Sequence, residues 1–267
     1  MPASAAPSGG SSPRSRDPVR GDLRSVVGKI EAILDAFTAD DQRLSLAELV
    51  RRTDLPKTTV HRICHVLAAA GMLERIDGGY RLGLRLFELG QLVPRQRILR
   101  EAAQPYLQEL LHQSKAMIHL AILDGLDALV IERLSPYRQP TRHTQVAGRM
   151  PLHCTAVGKA LLAFASPATV TDVLREGLPR RTPHTITSAL HFTRALERAR
   201  QEGVATEVEE MHVGYLAVGA PILNAESLPA AAVSATAPLH NTRIEHLTGL
   251  VQDAATRIQS ALRAGSG

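Results

Sequence analysis

The stretch from Ser45 to Arg75, SLAELVRRTDLPKTTVHRICHVLAAAGMLER, constrains this chain more than any other, because helix start, turn, second helix and stop follow one another without slack. Ser45-Leu46-Ala47-Glu48 reads as a capping box: the Ser side chain takes a backbone N–H of the first helical turn and the Glu reaches back to the cap. That helix carries Leu46, Leu49 and Val50 and is expected to end near Arg52. After the link Thr53-Asp54-Leu55, Pro56 suits the first position of another helix, where its missing N–H costs nothing. Val60, Ile63 and Leu67 keep helical spacing and predict one buried stripe, and Gly71 supplies a left-handed stop. The same geometry turns Lys57, Thr58, His61, Arg62 and His65 outward, with Thr59 also in the first turn.

The flanks complete a unit. From Ser25, the residues Val26, Ile30, Ile33, Leu34 and Phe37 recur at spacings of three and four, which predicts a preceding helix. After Gly71 the period changes: Leu73–Ile76 and Tyr80–Leu82 flank Asp77-Gly78-Gly79, a hairpin signal. Three helices and a two-stranded hairpin make a winged helix-turn-helix, whose third helix has the size to enter the major groove of double-stranded DNA. Arg62 is the candidate base reader, since its fork matches the two acceptors of guanine. Thr58 and Thr59 sit where a helix N-terminus favours phosphate, and Lys57 is a candidate phosphate contact. Arg75 and Arg81 flank the wing tip and are candidates for the neighbouring backbone or minor groove. His61 and His65 have two readings, facing DNA or packing against the first helix or the wing.

Charge supports the DNA reading. The net charge is +5, and residues 1–100 hold 16 Lys/Arg against 11 Asp/Glu, so the remaining 15 basic and 15 acidic residues leave the rest balanced. A basic front end suits a polyanion and a neutral remainder does not. The competing reading is an amphipathic surface helix with incidental charge, and part of the excess (Arg14, Arg16, Arg20) lies in a basic tail.

The expected organisation is a low-complexity, disordered tail over 1–22, a winged helix-turn-helix over 23–83, a linker helix over 84–97 and a second domain over 98–267. Leu84, Phe87, Leu89 and Leu92 predict the linker helix, which stops before Pro94, and the polar run Arg95-Gln96-Arg97 marks the boundary. The second domain opens on a helix from about Ile98 to Gln113. Strand-like runs over 117–123 and 128–134 surround the turn Asp124-Gly125-Leu126-Asp127. Helices follow from about Thr155 to Phe164, from Ser166-Pro167 to Gly177, and over 193–202. Strands over 215–222 and 229–235 then precede a long amphipathic helix bearing Ile244, Leu247, Val251, Ala254, Ile258 and Leu262. Hairpins with helices around them argue α+β with a mainly antiparallel sheet. Cys64 and Cys154 make neither a disulfide framework nor a metal-ligand spacing. The chain shows no secretory signal and no membrane-length apolar run, so a cytoplasmic location is expected.

These motifs resemble the IclR-type bacterial transcriptional regulators. The resemblance rests on Leu44–Gly90, on GRMPLHCTAVGKALLA (Gly148–Ala163), on GVATEVEE (Gly203–Glu210) and on AVGAPI (Ala217–Ile222), and it covers about Ser25 to Ala264. It implies a winged DNA-binding domain joined by a linker helix to an effector domain of GAF-like α/β fold. It also implies homodimers or dimers of dimers on partly palindromic operators, commonly as repressors. By motif position it implies that Thr155, Ala156, Val157, Glu207, Ala217, Ser234 and Thr236 line an effector pocket. The residues agree in part: Ser234 and Thr236 lie two apart on a strand and share a face, and backbone N–H groups at the helix start near Thr155 can hold a carboxylate. Plain strand hydroxyls are the other reading of Ser234 and Thr236. Many relatives have Cys where Ala217 stands and Asp where Glu207 stands, which alters pocket volume and the reach of the acid. Arg142, with His143 beside it, is a candidate to supply positive charge to an acidic effector, a small organic or aromatic acid; plain surface charge is the alternative.

Other classes find less support. Gly158-Lys159 resembles part of a phosphate loop, but His153 stands where the first glycine belongs and Ala160 replaces the required Ser or Thr. GxSxG and HExxH are absent, and the HxxxH spacing from His61 to His65 falls on the outward side of the predicted third helix. His153-Cys154 invites a thiol reading, against which stands simple packing at a helix start. A DNA-tethered enzyme and a ligand-independent DNA binder are the alternatives to a regulator without cofactor or metal.

Overall fold

The computed structural model describes residues 23–38, 40–136 and 145–265. The described residues fall into two compact units, divided between Leu89 and Gly90.

The first unit is built as the local signals dictate. Helix α1 (Val26–Asp35) is capped by Ser25, whose hydroxyl accepts the Gly28 N–H at 2.9 Å. Helix α2 (Leu46–Thr53) has both halves of the capping box: Glu48 N donates to Ser45 Oγ at 3.2 Å and Ser45 N donates to Glu48 Oε2 at 3.1 Å. Asp54 closes α2 in the left-handed region and Pro56 occupies the cap of helix α3 (Lys57–Ala69), one residue ahead of the expected position. Gly71, at φ +72°, ends the motif. Strands β1 (Leu73–Ile76) and β2 (Gly79–Leu82) form the antiparallel wing. Its inner edge is held by a bridge that the sequence does not announce, with Leu44 N donating to Tyr80 O and Tyr80 N to Leu44 O. A side chain at Gly79 would collide with the Leu44 carbonyl, so the close approach depends on glycine there. Ile33, Phe37, Leu44, Leu49, Leu55, Val60, Ile63, Cys64, Leu67, Leu73 and Tyr80 form a single apolar cluster.

Helix α4 (Leu84–Gln91) and helix α5 (Pro94–Ser114) follow. Pro94 takes the first position of α5, so Arg95, Gln96 and Arg97 lie in its first turn, and the helix expected from about Ile98 begins four residues earlier.

In the second unit, strands β3 (Met117–Asp124), β4 (Asp127–Leu134), β5 (Arg149–Pro151), β6 (Ala205–Val208), β7 (Tyr215–Leu223) and β8 (Pro229–Pro238) form one antiparallel sheet in the order β5-β4-β3-β8-β7-β6. Both edge strands, β5 and β6, are short, and no element is predicted over either from the sequence. Helix α9 (Ile244–Ala264) and α5 cover one face, where Ile118, Leu120, Val218, Val233 and Ala235 meet Leu107, Leu247, Val251 and Ile258. Helices α6 (Ala156–Ala163), α7 (Pro167–Glu176) and α8 (Ala189–Glu202) belong to the other face, with Ala121, Val130, Ala205 and Ala232 in the cluster beneath them. Helix α8 starts four residues ahead of its predicted beginning at Thr193. The chain is therefore α+β, with a winged helix-turn-helix ahead of an antiparallel sheet flanked by helices.

Candidate functional site

The outer face of α3 is polar for a reason of packing. Val60, Ile63, Cys64 and Leu67 point into the unit's core, which leaves Lys57, Thr58, His61, Arg62 and His65 exposed and Thr59 half-buried. Both histidines lie on the solvent side of the helix. Cys64 is buried beside them, and burial pushes its thiol up to about 11, so it belongs to the core and not to the reactive surface.

The wing divides its two arginines. Arg75 pairs across the hairpin with Tyr80 and Arg81 with Glu74, so the two arginines point to opposite faces. Arg81 is also engaged, with Nη2 at 2.5 Å from Glu74 Oε2. Arg75 is exposed without that restraint. An unpredicted cation stands at the wing tip: Arg43 Nη1 donates to the Asp77 carbonyl at 2.7 Å while remaining exposed. Its signal was weak in the sequence, since it precedes the capping box by two residues and meets the wing only through the fold.

The second cluster lies between α6 and the sheet. Register puts Glu207, Ala217, Thr236 and Met117 in one row across β6, β7, β8 and β3, and Ala205, Gly219, Ser234, His119 and Arg133 in the next. Residues in register share a face, and this is the α6 face, because the alternate residues enter the core with α5 and α9. The start of α6 sits on it directly: a Cβ built on Gly219 would lie 2.6 Å from the Ala156 carbonyl oxygen and 3.0 Å from Val157 N. Ala156, Val157, Glu207, Ala217, Ser234 and Thr236 are thus brought together, with Thr155 at the helix cap.

The polar groups here have distinct occupations. Thr155 Oγ1 accepts the Gly158 N–H at 3.1 Å and donates to the Pro151 carbonyl at 2.6 Å, so its hydroxyl shapes the helix start. The first N–H groups of α6, at Ala156 and Val157, have no acceptor within the helix. Ser234 is 2% exposed and Glu207 is 4% exposed. Burial raises the Glu207 carboxyl to about 7, although it accepts the Met211 N–H at 3.0 Å and Lys159 opposes the shift. Lys159 is itself buried against Glu210, Nζ to Oε1 at 2.5 Å. Thr182 Oγ1 donates to the Glu209 carbonyl and Thr185 Oγ1 to that of Glu210, which pins the acidic segment from outside.

Arg142 and His143 lie outside the described residues. His153 is buried, its Nε2 2.9 Å from the Pro179 carbonyl oxygen, and burial lowers its basicity. Burial pushes Cys154 up to about 12, so it carries no thiolate near neutrality. The pair packs a helix start. A cleft of about 100 Å³ opens between α8 and β6, lined by residues including Lys159, Arg198, Glu202 and Glu210. That is small beside the several hundred Å³ typical of a ligand pocket. Among the described residues no three His, Cys, Asp or Glu side chains converge as a metal site would require, and no helix is long and apolar enough to cross a membrane.

Comparison with known proteins gives the same division. Residues 26–77 match the IclR helix-turn-helix domain and residues 91–260 match the family described as bacterial transcriptional regulator IclR C-terminal. The chain is 33% identical to the probable transcriptional regulator SauR of Cupriavidus necator over 83% of its own length and 89% of that protein. The crystal structure of an IclR homolog from Microbacterium hydrocarbonoxydans, complexed with 4-hydroxybenzoate, superposes with a TM-score of 0.84 at 32% identity, covering 90% of this chain and all of that one. More distant relatives differ in sign: the transcriptional repressor IclR of Escherichia coli, 26% identical over 86% of each chain, and the p-hydroxybenzoate hydroxylase transcriptional activator of Acinetobacter baylyi, 27% identical over 88% of this chain and 89% of that protein.

Proposed function

Because the chain belongs to the IclR family of bacterial transcriptional regulators, whose members are not enzymes, we propose that it is a cytoplasmic repressor whose operator affinity is set by a small organic or aromatic acid. In this reading residues 23–83 bind DNA, 84–97 link, and 98–267 hold the effector. Arg62 reads a base edge, Lys57, Thr58 and Thr59 take phosphates, and His61, Arg75 and Arg43 extend the contact. Arg81 contributes only after leaving Glu74. The effector lies between the start of α6 and the row from Glu207 to Thr236, against Ala217 and Ser234.

The observation that carries the reading is the segregation on α3: Val60, Ile63, Cys64 and Leu67 fill the core while Lys57, Thr58, His61, Arg62 and His65 are exposed. The acid effector is supported by the helix-start N–H groups over the sheet, which have no acceptor within α6, by the buried hydroxyl of Ser234, and by the 4-hydroxybenzoate found with the similar Microbacterium protein. Val26 and Val27 on α1 and Leu84 and Phe87 on α4 are exposed apolar side chains. Such residues favour assembly, in keeping with a homodimer, or a dimer of dimers, on a partly palindromic operator.

A selection from random-sequence duplexes tests the reading. A repeated half-site in inverted orientation is the expected product, and enrichment of no motif would contradict it. A reporter driven from the selected site, with and without the chain, fixes the sign: the repressor reading expects expression to fall when the chain is present.

A further inference from the structure

Arg133 on β4 continues the row that begins at Gly219: its register partner is His119, and that of His119 on the other side is Ser234. Its side chain therefore stands on the α6 face of the sheet. The guanidinium lies over the same floor as Thr236, with Nη2 3.8 Å from the sulfur of Met117, the register partner of Thr236.

This cation is not neutralised within the described part of the fold. Its Nε is shielded from water and meets no acceptor, and none of the ion pairs among the described residues includes it. The adjacent acid, Glu132, faces the opposite side of the sheet and is held by Arg100 of α5 at 3.1 Å. At the far side of the floor Glu210 is taken by Lys159, while Glu207 titrates near neutrality and is a weak counter-charge. A partly desolvated guanidinium whose acceptor within the described fold is a neutral thioether sulfur is one half of an ion pair. A planar carboxylate fits the missing half, because its two oxygens match the guanidinium fork.

We propose that Arg133 recognises the carboxylate of the effector, which seats its acid group on the β4 side and runs its remaining atoms over Thr236 and Ser234 toward Ala217 and Glu207. This rests on the reading that the effector binds between α6 and the sheet. It assigns charge recognition to a residue inside the sheet and makes the ligand a small carboxylate, in preference to its amide or ester.

Calorimetric titration of the full chain with a set of carboxylates from pyruvate to 4-hydroxybenzoate, each beside its primary amide, tests the assignment. The expected result is that at least one acid binds, that its amide binds far more weakly, and that Arg133→Gln weakens the acid about tenfold or more while leaving the amide unchanged. Arg133→Lys, which keeps the charge and loses the fork, should fall between them and serves as the test if the Gln variant does not fold. Ala217→Leu separates the two readings. If Ala217→Leu abolishes acid binding and Arg133→Gln does not, the pocket stands and the role of Arg133 is overturned. If neither variant changes the affinity, both fail. A chain that binds none of the acids, or binds acid and amide alike, also overturns the proposal.

Discussion

Arg62 and Glu207 show how much one side chain carries. Arg62 leaves α3 on the side opposite Ile63 and Cys64, so truncation would remove the proposed DNA contact without opening a cavity. Arg62→Ala should cost about 1–3 kcal/mol of operator affinity and flatten preference at one base position; competition binding against single-base variants of the selected site measures both. Glu207 makes a prediction about pH. Its carboxyl has an ordinary value of 4.5 and titrates at about 7 in the fold, with burial as the largest cause and Lys159 and Glu210 facing it. A raised pKa means that between these values the unfolded chain gives up a proton that the folded chain keeps. The associated stability is full below about 4.5 and is lost as pH rises to about 7. Glu207→Gln should flatten this part of the stability profile, by on the order of a few kcal/mol, as followed by melting temperature from acid to neutral pH. A variant with the same slope as the parent would assign the slope to another group.

At the scale of elements, legibility depended on whether a residue's environment is set by its own helix or by a distant strand. The α3 surface was readable because the period of Val60, Ile63 and Leu67 fixes every other direction on that helix. The hairpin of the wing was readable from Asp77-Gly78-Gly79, but the split between Arg75 and Arg81 was not, since it depends on register. Edge strands β5 and β6 pair on one side only and are too short for a period to show. The seven effector candidates were named through family resemblance; the residues alone gave only that Ser234 and Thr236 share a face. Arg133 carries no signal in the sequence, because nothing in the run IERLSP says which face a sheet will cover; Arg142 stands out only because it lies in a polar stretch. Gly219 likewise becomes meaningful only when α6 is seen to rest on it. Gly219→Ala should force α6 away from the sheet and cost about 1–3 kcal/mol, measured by chemical denaturation with effector affinity recorded alongside; unaltered stability would mean that α6 yields freely.

For the whole molecule the account requires two units with separate tasks and one shared equilibrium. An effector shifts that equilibrium only by as much as it binds one arrangement better than the other. Ala217→Leu fills the floor of the effector site and should abolish the response to acid while operator affinity without acid is unchanged, as read by anisotropy of labelled operator. A normal response would place the effector elsewhere. The charge division predicts that DNA binding resides in the first third of the sequence and is steeply dependent on salt.

Beneath all of this lies the claim that the outward face of α3 rests against duplex DNA. Anisotropy of a labelled duplex titrated with the purified full chain tests it most directly. The prediction is saturable binding in dilute salt that weakens sharply as salt is raised and is largely lost when Lys57 and Arg62 are both replaced by Ala. A chain that leaves the duplex untouched in dilute salt, or that binds equally well after both replacements, would contradict it.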